Sequence, residues 1–205
     1  DSASRGLGDV YKRQDRQPAL NTPDPCYGGV VWDEQVTKNM GLPFAYLLKL
    51  RTTLLRDLGG AMSPFNAWMF IQGLETLPLR MREHANNAQQ VAEFLASNKK
   101  VQSVTYPGLF EGAEKEKADK YMTGGYGALI GFELPGGKEA GSKFIDSLEL
   151  LYHVANIGDS RSLAIHPATT THSQLAPEEQ LSAGVTPGYV RLSIGIENAE
   201  DIIAD

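Results

Sequence analysis

Apolar residues at Leu42, Tyr46, Leu47, Leu50, Leu54 and Leu55 recur three and four positions apart across residues 39–56. That spacing gathers them on one stripe of an α-helix. Gly59 and Gly60 interrupt the pattern, and Ser63-Pro64 opens the next one. A serine hydroxyl can accept from a free first-turn amide, and proline at the first helical position gives up no hydrogen bond. The helix predicted from there runs to about Asn98, with Leu77, Met81, Ala85, Ala88, Ala92 and Leu95 as its buried stripe. Gly73 and Pro78 are where it should bend or break. Beyond Asn98 the period falls to two, and residues 101–106, 128–134, 151–155 and 189–194 are predicted strands separated by glycine and proline turns. Residues 111–120 read as a charged solvent-facing helix, 138–148 as a helix with Phe144, Ile145 and Leu148 inward, and 177–181 as a short helix. The loop 21–29, with Pro23, Pro25, Gly28 and Gly29, is predicted to connect rather than to pack. Together these elements describe a layered α/β domain, with helices over one face of a small sheet.

The length of 205 residues allows one sizeable domain or a domain with an appendage. A net charge of -6 argues against a basic surface for nucleic acid or anionic lipid and leaves small molecules and proteins as partners. The single Cys26 excludes an internal disulfide and a cysteine zinc site, and suggests a reducing compartment such as the cytoplasm. No run reaches the roughly 18 apolar residues of a membrane helix, so no membrane association is expected. Residues 1–14 read as translated adaptor sequence, and 1–19 are expected to stand apart from the fold. The chain stops inside a helix-like stretch at Asp205, so a fragment of a longer protein is expected.

Three features could carry chemistry. Of the four histidines, His166 and His172 are the closest pair, but their spacing fits no helical or strand metal motif; structural histidines are favoured over His84, His153, His166 or His172 as ligands, and no metal is expected. Residues 156–174 crowd hydroxyl and amide groups between apolar strands, which suits either an anion-binding loop or an ordinary polar connection. In 189–197, alternation puts Arg191, Ser193 and Gly195 opposite Val190, Leu192 and Ile194. A guanidinium offers a planar fork for a carboxylate; a strand arginine paired with a surface acid is the competing reading. There is no phosphate-loop, dinucleotide or hydrolase-elbow motif.

Five segments resemble the Cys/Met-metabolism family of pyridoxal-phosphate enzymes: Leu58-Gly-Gly-Ala-Met-Ser-Pro-Phe-Asn-Ala, Gly73-Leu-Glu-Thr-Leu-Pro-Leu-Arg-Met, Val104-Thr-Tyr-Pro-Gly-Leu, residues 155–175, and Val190-Arg-Leu-Ser-Ile-Gly-Ile-Glu. The resemblance runs from about residue 20 to 205 and is to the C-terminal half of the family. It implies the fold type I transferase architecture: 20–60 as the end of the large cofactor domain, 61–98 as a connecting helix region, and 99–205 as the C-terminal α/β small domain. Asn156-Ile-Gly-Asp-Ser-Arg-Ser-Leu stands where cystathionine-forming and γ-eliminating relatives carry Ser-Leu-Gly-Gly-x-Glu-Ser-Leu, which favours the O-acetylhomoserine sulfhydrylase branch. That branch replaces acetate by sulfide or methanethiol on the pyridoxal phosphate cofactor, in methionine biosynthesis, as a tetramer. Cystathionine γ-synthase, methionine γ-lyase and a non-catalytic assembly module are the alternatives. By this resemblance Arg191 binds the substrate α-carboxylate, with Asn156 beside it and Thr171 shaping the pocket. The family's Schiff-base lysine, in a Ser-x-Thr-Lys stretch, and its cofactor-binding residues fall upstream of the matching region. The chain alone is therefore expected to be inactive.

Overall fold

The structure, a computed structural model, describes residues 14–41 and 43–205. The chain divides into two compact units, up to Phe70 and from Ile71 onward. In the second unit five strands form one sheet in the order β1-β2-β5-β4-β3. They are β1 Ser103–Thr105, β2 Leu129–Glu133, β3 Tyr152–His153, β4 Leu163–Ile165 and β5 Tyr189–Ser193. All pairings are antiparallel except that of β3 with β4. The central strand β5 aligns Leu192 with Ile130 on one side and Ala164 on the other, and Arg191 with Gly131 and Ile165.

Because strand side chains alternate between faces, Val190, Leu192, Ile130 and Phe132 point together into one core. There they meet Ala88, Val91, Ala92 and Leu95 of the long helix Leu77–Ser97, Ile145 of the helix Gly137–Ser147 and Ile202 of the helix Ala199–Ala204. The helix-covered face of the expected α/β architecture is this one. Strand β4 was not expected: Leu163-Ala-Ile is too short to show a period inside a hydroxyl-rich segment, and pairing with β3 and β5 makes it a strand.

The long helical region breaks at Thr76 into Pro64–Glu75 and Leu77–Ser97. Ser63 Oγ accepts from the amide of Asn66 at 3.1 Å at the start, as its position suggests. At the break the Arg80 guanidinium donates to Thr76 Oγ1 (3.2 Å) and to the Gly73 carbonyl (2.6 Å), a group that a continuous helix would have paired with a backbone amide. Leu77 and Met81 are exposed rather than buried, a correction to the expected stripe: no core residue of the long helix precedes Ala88 except Ala85 and the polar His84 and Asn87. The helix Pro64–Glu75 buries none of its residues, and Phe65, Trp68, Met69, Phe70, Ile71 and Leu74 are each more than half exposed.

The first unit centres on Leu20, Trp32, Val36 and Ala45. Asp24 organises it. One carboxylate oxygen accepts from Trp32 Nε1 (2.8 Å) and Lys49 Nζ (2.7 Å), the other from the amide of Cys26 (3.0 Å). The loop expected only to connect therefore packs, because a buried carboxylate with three donors ties it to its neighbours. Gly28 and Gly29, at φ of 63° and 80°, turn the chain back so that Asp24 and Val30 pair across the loop. The stripe over 39–56 is not one regular helix: Ala45–Lys49 is α-helical, Leu50–Leu55 is a π-helical turn, and α-helix resumes at Arg56–Leu58. In the π-helical turn Thr52 and Thr53 hydroxyls bond back to the Leu48 and Lys49 carbonyls, a competition that disfavours regular helix. Leu42 and residues 1–13 lie outside the described residues. Of the stretch expected to stand apart, Gln14 is buried; its side-chain amide donates to the Pro43 carbonyl (2.6 Å) and accepts from the amide of Tyr46 (2.8 Å).

The Lys49 hydrogen bond, then that of Trp32, holds the Asp24 carboxyl below its usual value of 3.8, with burial acting in the opposite direction. A depressed folded value means that this stabilisation is complete above the ordinary aspartate range and is lost as pH falls through the folded value. Trp32 fluorescence should therefore hold steady from neutral pH down to that range and change only below it. Asp24→Asn should bring the change to neutral pH.

Candidate functional site

On the sheet face away from the core, Arg191 sits between Gly131 on β2 and Ile165 on β4. The missing side chain at Gly131 leaves room for the Tyr189 ring, whose hydroxyl lies where a Cβ would be. Burial raises the Tyr189 phenol above its usual value; the Arg191 charge pulls it down, and Glu133 pushes it up. Arg191 is partly buried. Its Nη2 donates to the Asn156 carbonyl at 3.1 Å, while Nε is buried with no hydrogen-bond partner.

The opposing loop is laced to β5 and to the turn after it. The amide of Gly158 donates to Ser193 Oγ (3.2 Å), and the amide of Ile196 to the Ser160 carbonyl (2.9 Å). Ser162 is fully buried; its hydroxyl accepts from the amide of Gly195 at 2.8 Å. Gly195 is required here, because a Cβ would lie within 2.5 Å of the backbone of Ser160 and Arg161. From the long helix, His84 Nδ1 lies 2.7 Å from the Ile194 carbonyl, and Asn87 Nδ2 donates to the carbonyls of Gly195 (3.2 Å) and Glu197 (2.7 Å). Since a carbonyl only accepts, His84 carries its proton on Nδ1. Gly158 and Ser193 also line an apolar hollow of about 400 Å³ with Met81, Met122, Leu129 and Ile157.

Of the three residues expected to hold a substrate, the fold brings Arg191 and Asn156 together, through the backbone carbonyl of Asn156; the Asn156 side chain is exposed and accepts from the amide of Ile157. Thr171 lies in the turn that follows Pro167–Thr169. It is exposed, bonds to Nδ1 of His172 at 2.9 Å, and among the described residues shares no hydrogen bond with Arg191 or Asn156. Its turn is organised by Gln180, whose amide donates to the carbonyls of His172, Ala168 and Leu175. His166 is buried between the Pro187 carbonyl (2.8 Å from Nε2) and Thr169 Oγ1 (2.9 Å from Nδ1). No group of three or more His, Cys, Asp or Glu able to hold a metal lies among the described residues. The roles of Ser162, Asn87 and Glu197 are not legible in the sequence, because each bonds to a partner more than 30 positions away; Gly195 followed by Glu197 after the strand is the available signal.

A five-stranded sheet backed by helices on its core face, with Arg191 directed to the loop at Asn156 on the other, defines an α/β domain. The family model for Cys/Met metabolism PLP-dependent enzymes matches residues 25–205, and the chain belongs to that family. It is 54% identical over 187 residues to the O-acetyl-L-homoserine sulfhydrylase of Leptospira meyeri, covering 89% of this chain and 42% of the relative. It is 44% identical over 200 residues to the homocysteine synthase of Schizosaccharomyces pombe, covering 98% and 46%. A crystal structure described as an O-acetylhomoserine (thiol)-lyase from Campylobacter jejuni, with N'-pyridoxyl-lysine-5'-monophosphate, superposes with a TM-score of 0.77 at 42% identity, over 98% of this chain and 46% of that one. The chain spans a little under half the length of these relatives. No helix among the described residues is long and apolar enough to cross a membrane.

Lys49, the lysine of the Asp24 cluster, is committed to Asp24 and the Ala19 carbonyl, and Lys115 to Asp119 and Tyr126.

Because Asn87 satisfies two otherwise unpaired carbonyls, Asn87→Ala should destabilise the second unit by about 1–3 kcal/mol. Urea unfolding followed by far-UV circular dichroism would measure it.

Proposed function

We propose that this chain is the C-terminal part of an O-acetyl-L-homoserine sulfhydrylase, which replaces the acetyl group's oxygen on the γ-carbon by a sulfur nucleophile. Sulfide would give homocysteine and acetate; methanethiol would give methionine and acetate. The observation that carries the reading is the 54% identity to a sulfhydrylase over 187 residues, together with an arginine suited to an amino-acid carboxylate. In this reading Arg191 grips the α-carboxylate. Nη2 is already anchored by Asn156, and the unpaired Nε is free to donate, so an arriving carboxylate removes the cost of a buried unsatisfied donor, about 1–3 kcal/mol. Thr171 would contribute from its own turn to the pocket wall. The cofactor supplies the electron sink for the chemistry, and its lysine belongs to the part of the family outside this match. A cytoplasmic enzyme of methionine biosynthesis, assembled as a homo-oligomer, is part of the same proposal; the single exposed cysteine and the acidic balance support the compartment.

The test is an assay of the full-length protein with sulfide and either O-acetyl- or O-succinylhomoserine. Turnover of the acetyl ester is expected, with none from the 205-residue chain alone. Arg191→Ala should raise KM for the ester roughly ten- to a hundredfold, the range for losing a charged hydrogen bond. Preference for the succinyl ester, or γ-elimination without sulfide, would assign another branch of the family.

A second reading, a non-catalytic assembly module, is favoured by the uncovered apolar helix Pro64–Glu75. So large an exposed apolar surface predicts self-association of the isolated chain. Light scattering should show oligomers or aggregates; a clean monomer would remove the support for this reading.

A further inference from the structure

We propose that Glu197 is a positioning residue for the Arg191 site: its carboxylate clamps the loop carrying Asn156 against the end of β5. This rests on the reading of Arg191 as the carboxylate-binding residue. One oxygen of Glu197 accepts from the amide of Ser162 at 2.7 Å, and the other accepts from the Ser162 hydroxyl at 2.9 Å. That hydroxyl in turn accepts from the amide of Gly195, so one buried serine is held by three bonds. The carboxylate lies directly over Gly195, in space a Cβ would occupy.

This arrangement is not explained as an ion pair. Among the described residues no lysine or arginine forms a salt bridge to Glu197, and the neighbouring Arg161 stacks over the Tyr152 ring, 4.8 Å from its centroid. A half-buried carboxylate with only amide and hydroxyl donors is a costly way to hold a chain unless the position held matters. The loop it holds needs holding. Residues 154–161 form no strand or helix and are all exposed, so their local stability comes from bonds at the two ends. At the near end stand Arg191 with Asn156, and Ser193 with Gly158. At the far end stand Glu197 with Ser162, and Ile196 with Ser160. The long helix braces the clamp through Asn87, which donates to the Glu197 carbonyl. Glu197 thus sets where the Asn156 carbonyl meets Arg191, and so how the guanidinium is aimed.

Hydrogen exchange on the 205-residue chain tests the clamp. Glu197→Ala is expected to speed exchange of residues 154–162 at least about tenfold while leaving 189–194 unchanged. Glu197→Gln keeps one acceptor for the Ser162 amide and should restore most of the protection. In the full-length enzyme Glu197→Ala should raise KM for O-acetylhomoserine about tenfold with kcat within about twofold, as for lost binding of a remote group. Unchanged exchange in 154–162 overturns the proposal; so does faster exchange across 189–194 as well, which would make Glu197 a general stabiliser. If Glu197→Ala frees the loop while Arg191→Ala leaves KM alone, the carboxylate reading of Arg191 fails and the clamp itself stands.

Discussion

Strand β5 has to serve two environments with one backbone. Val190, Leu192 and Ile194 are driven into the core by the removal of apolar surface from water, against the alanine-rich face of the long helix. Since strand side chains alternate, that burial forces Arg191 and Ser193 onto the opposite face, and a one-residue slip would exchange the two sets. The site is therefore as well placed as the core is well packed. The antiparallel partners on both sides of β5 hold its register, and Gly131 leaves the space beside Arg191 that the Tyr189 ring takes up.

The loop facing Arg191 lacks a core of its own. Its order comes from polar bonds to the same strand and to the turn that follows, with His84 and Asn87 reaching across from the helix that packs the other face. One helix thus does two jobs: its alanine and leucine positions back the sheet, and its polar positions satisfy carbonyls just past the strand end. This couples site geometry to the packing of the second unit rather than to the loop's own sequence.

The first unit follows a different logic. Asp24 gathers an indole, an ammonium and an amide around one carboxylate, and the apolar residues Leu20, Trp32, Val36 and Ala45 surround that centre. The helix Pro64–Glu75 remains apolar and uncovered. The relatives from Leptospira meyeri and Schizosaccharomyces pombe are more than twice as long as the stretch matched here.

What the amino-acid order determined unaided was set by local rules: the helix start at Ser63-Pro64, the break near Pro78, the strands around 103–105, 129–133 and 189–193, and the opposition of Arg191 to Val190 and Leu192. Each follows from periodicity, capping or turn chemistry within a few residues. The motifs within 155–175 and 190–197 also carried the family, since their residue order is itself the signature. Only the tertiary structure decided that Leu163–Ile165 is a strand, that the loop at Asp24 packs, and that Leu77 and Met81 face solvent. The strand depends on its pairing with Arg191–Ser193 and the packed loop on Lys49, both well outside any local window, and a local pattern holds no record of which distant group will supply a hydrogen bond or cover a side chain.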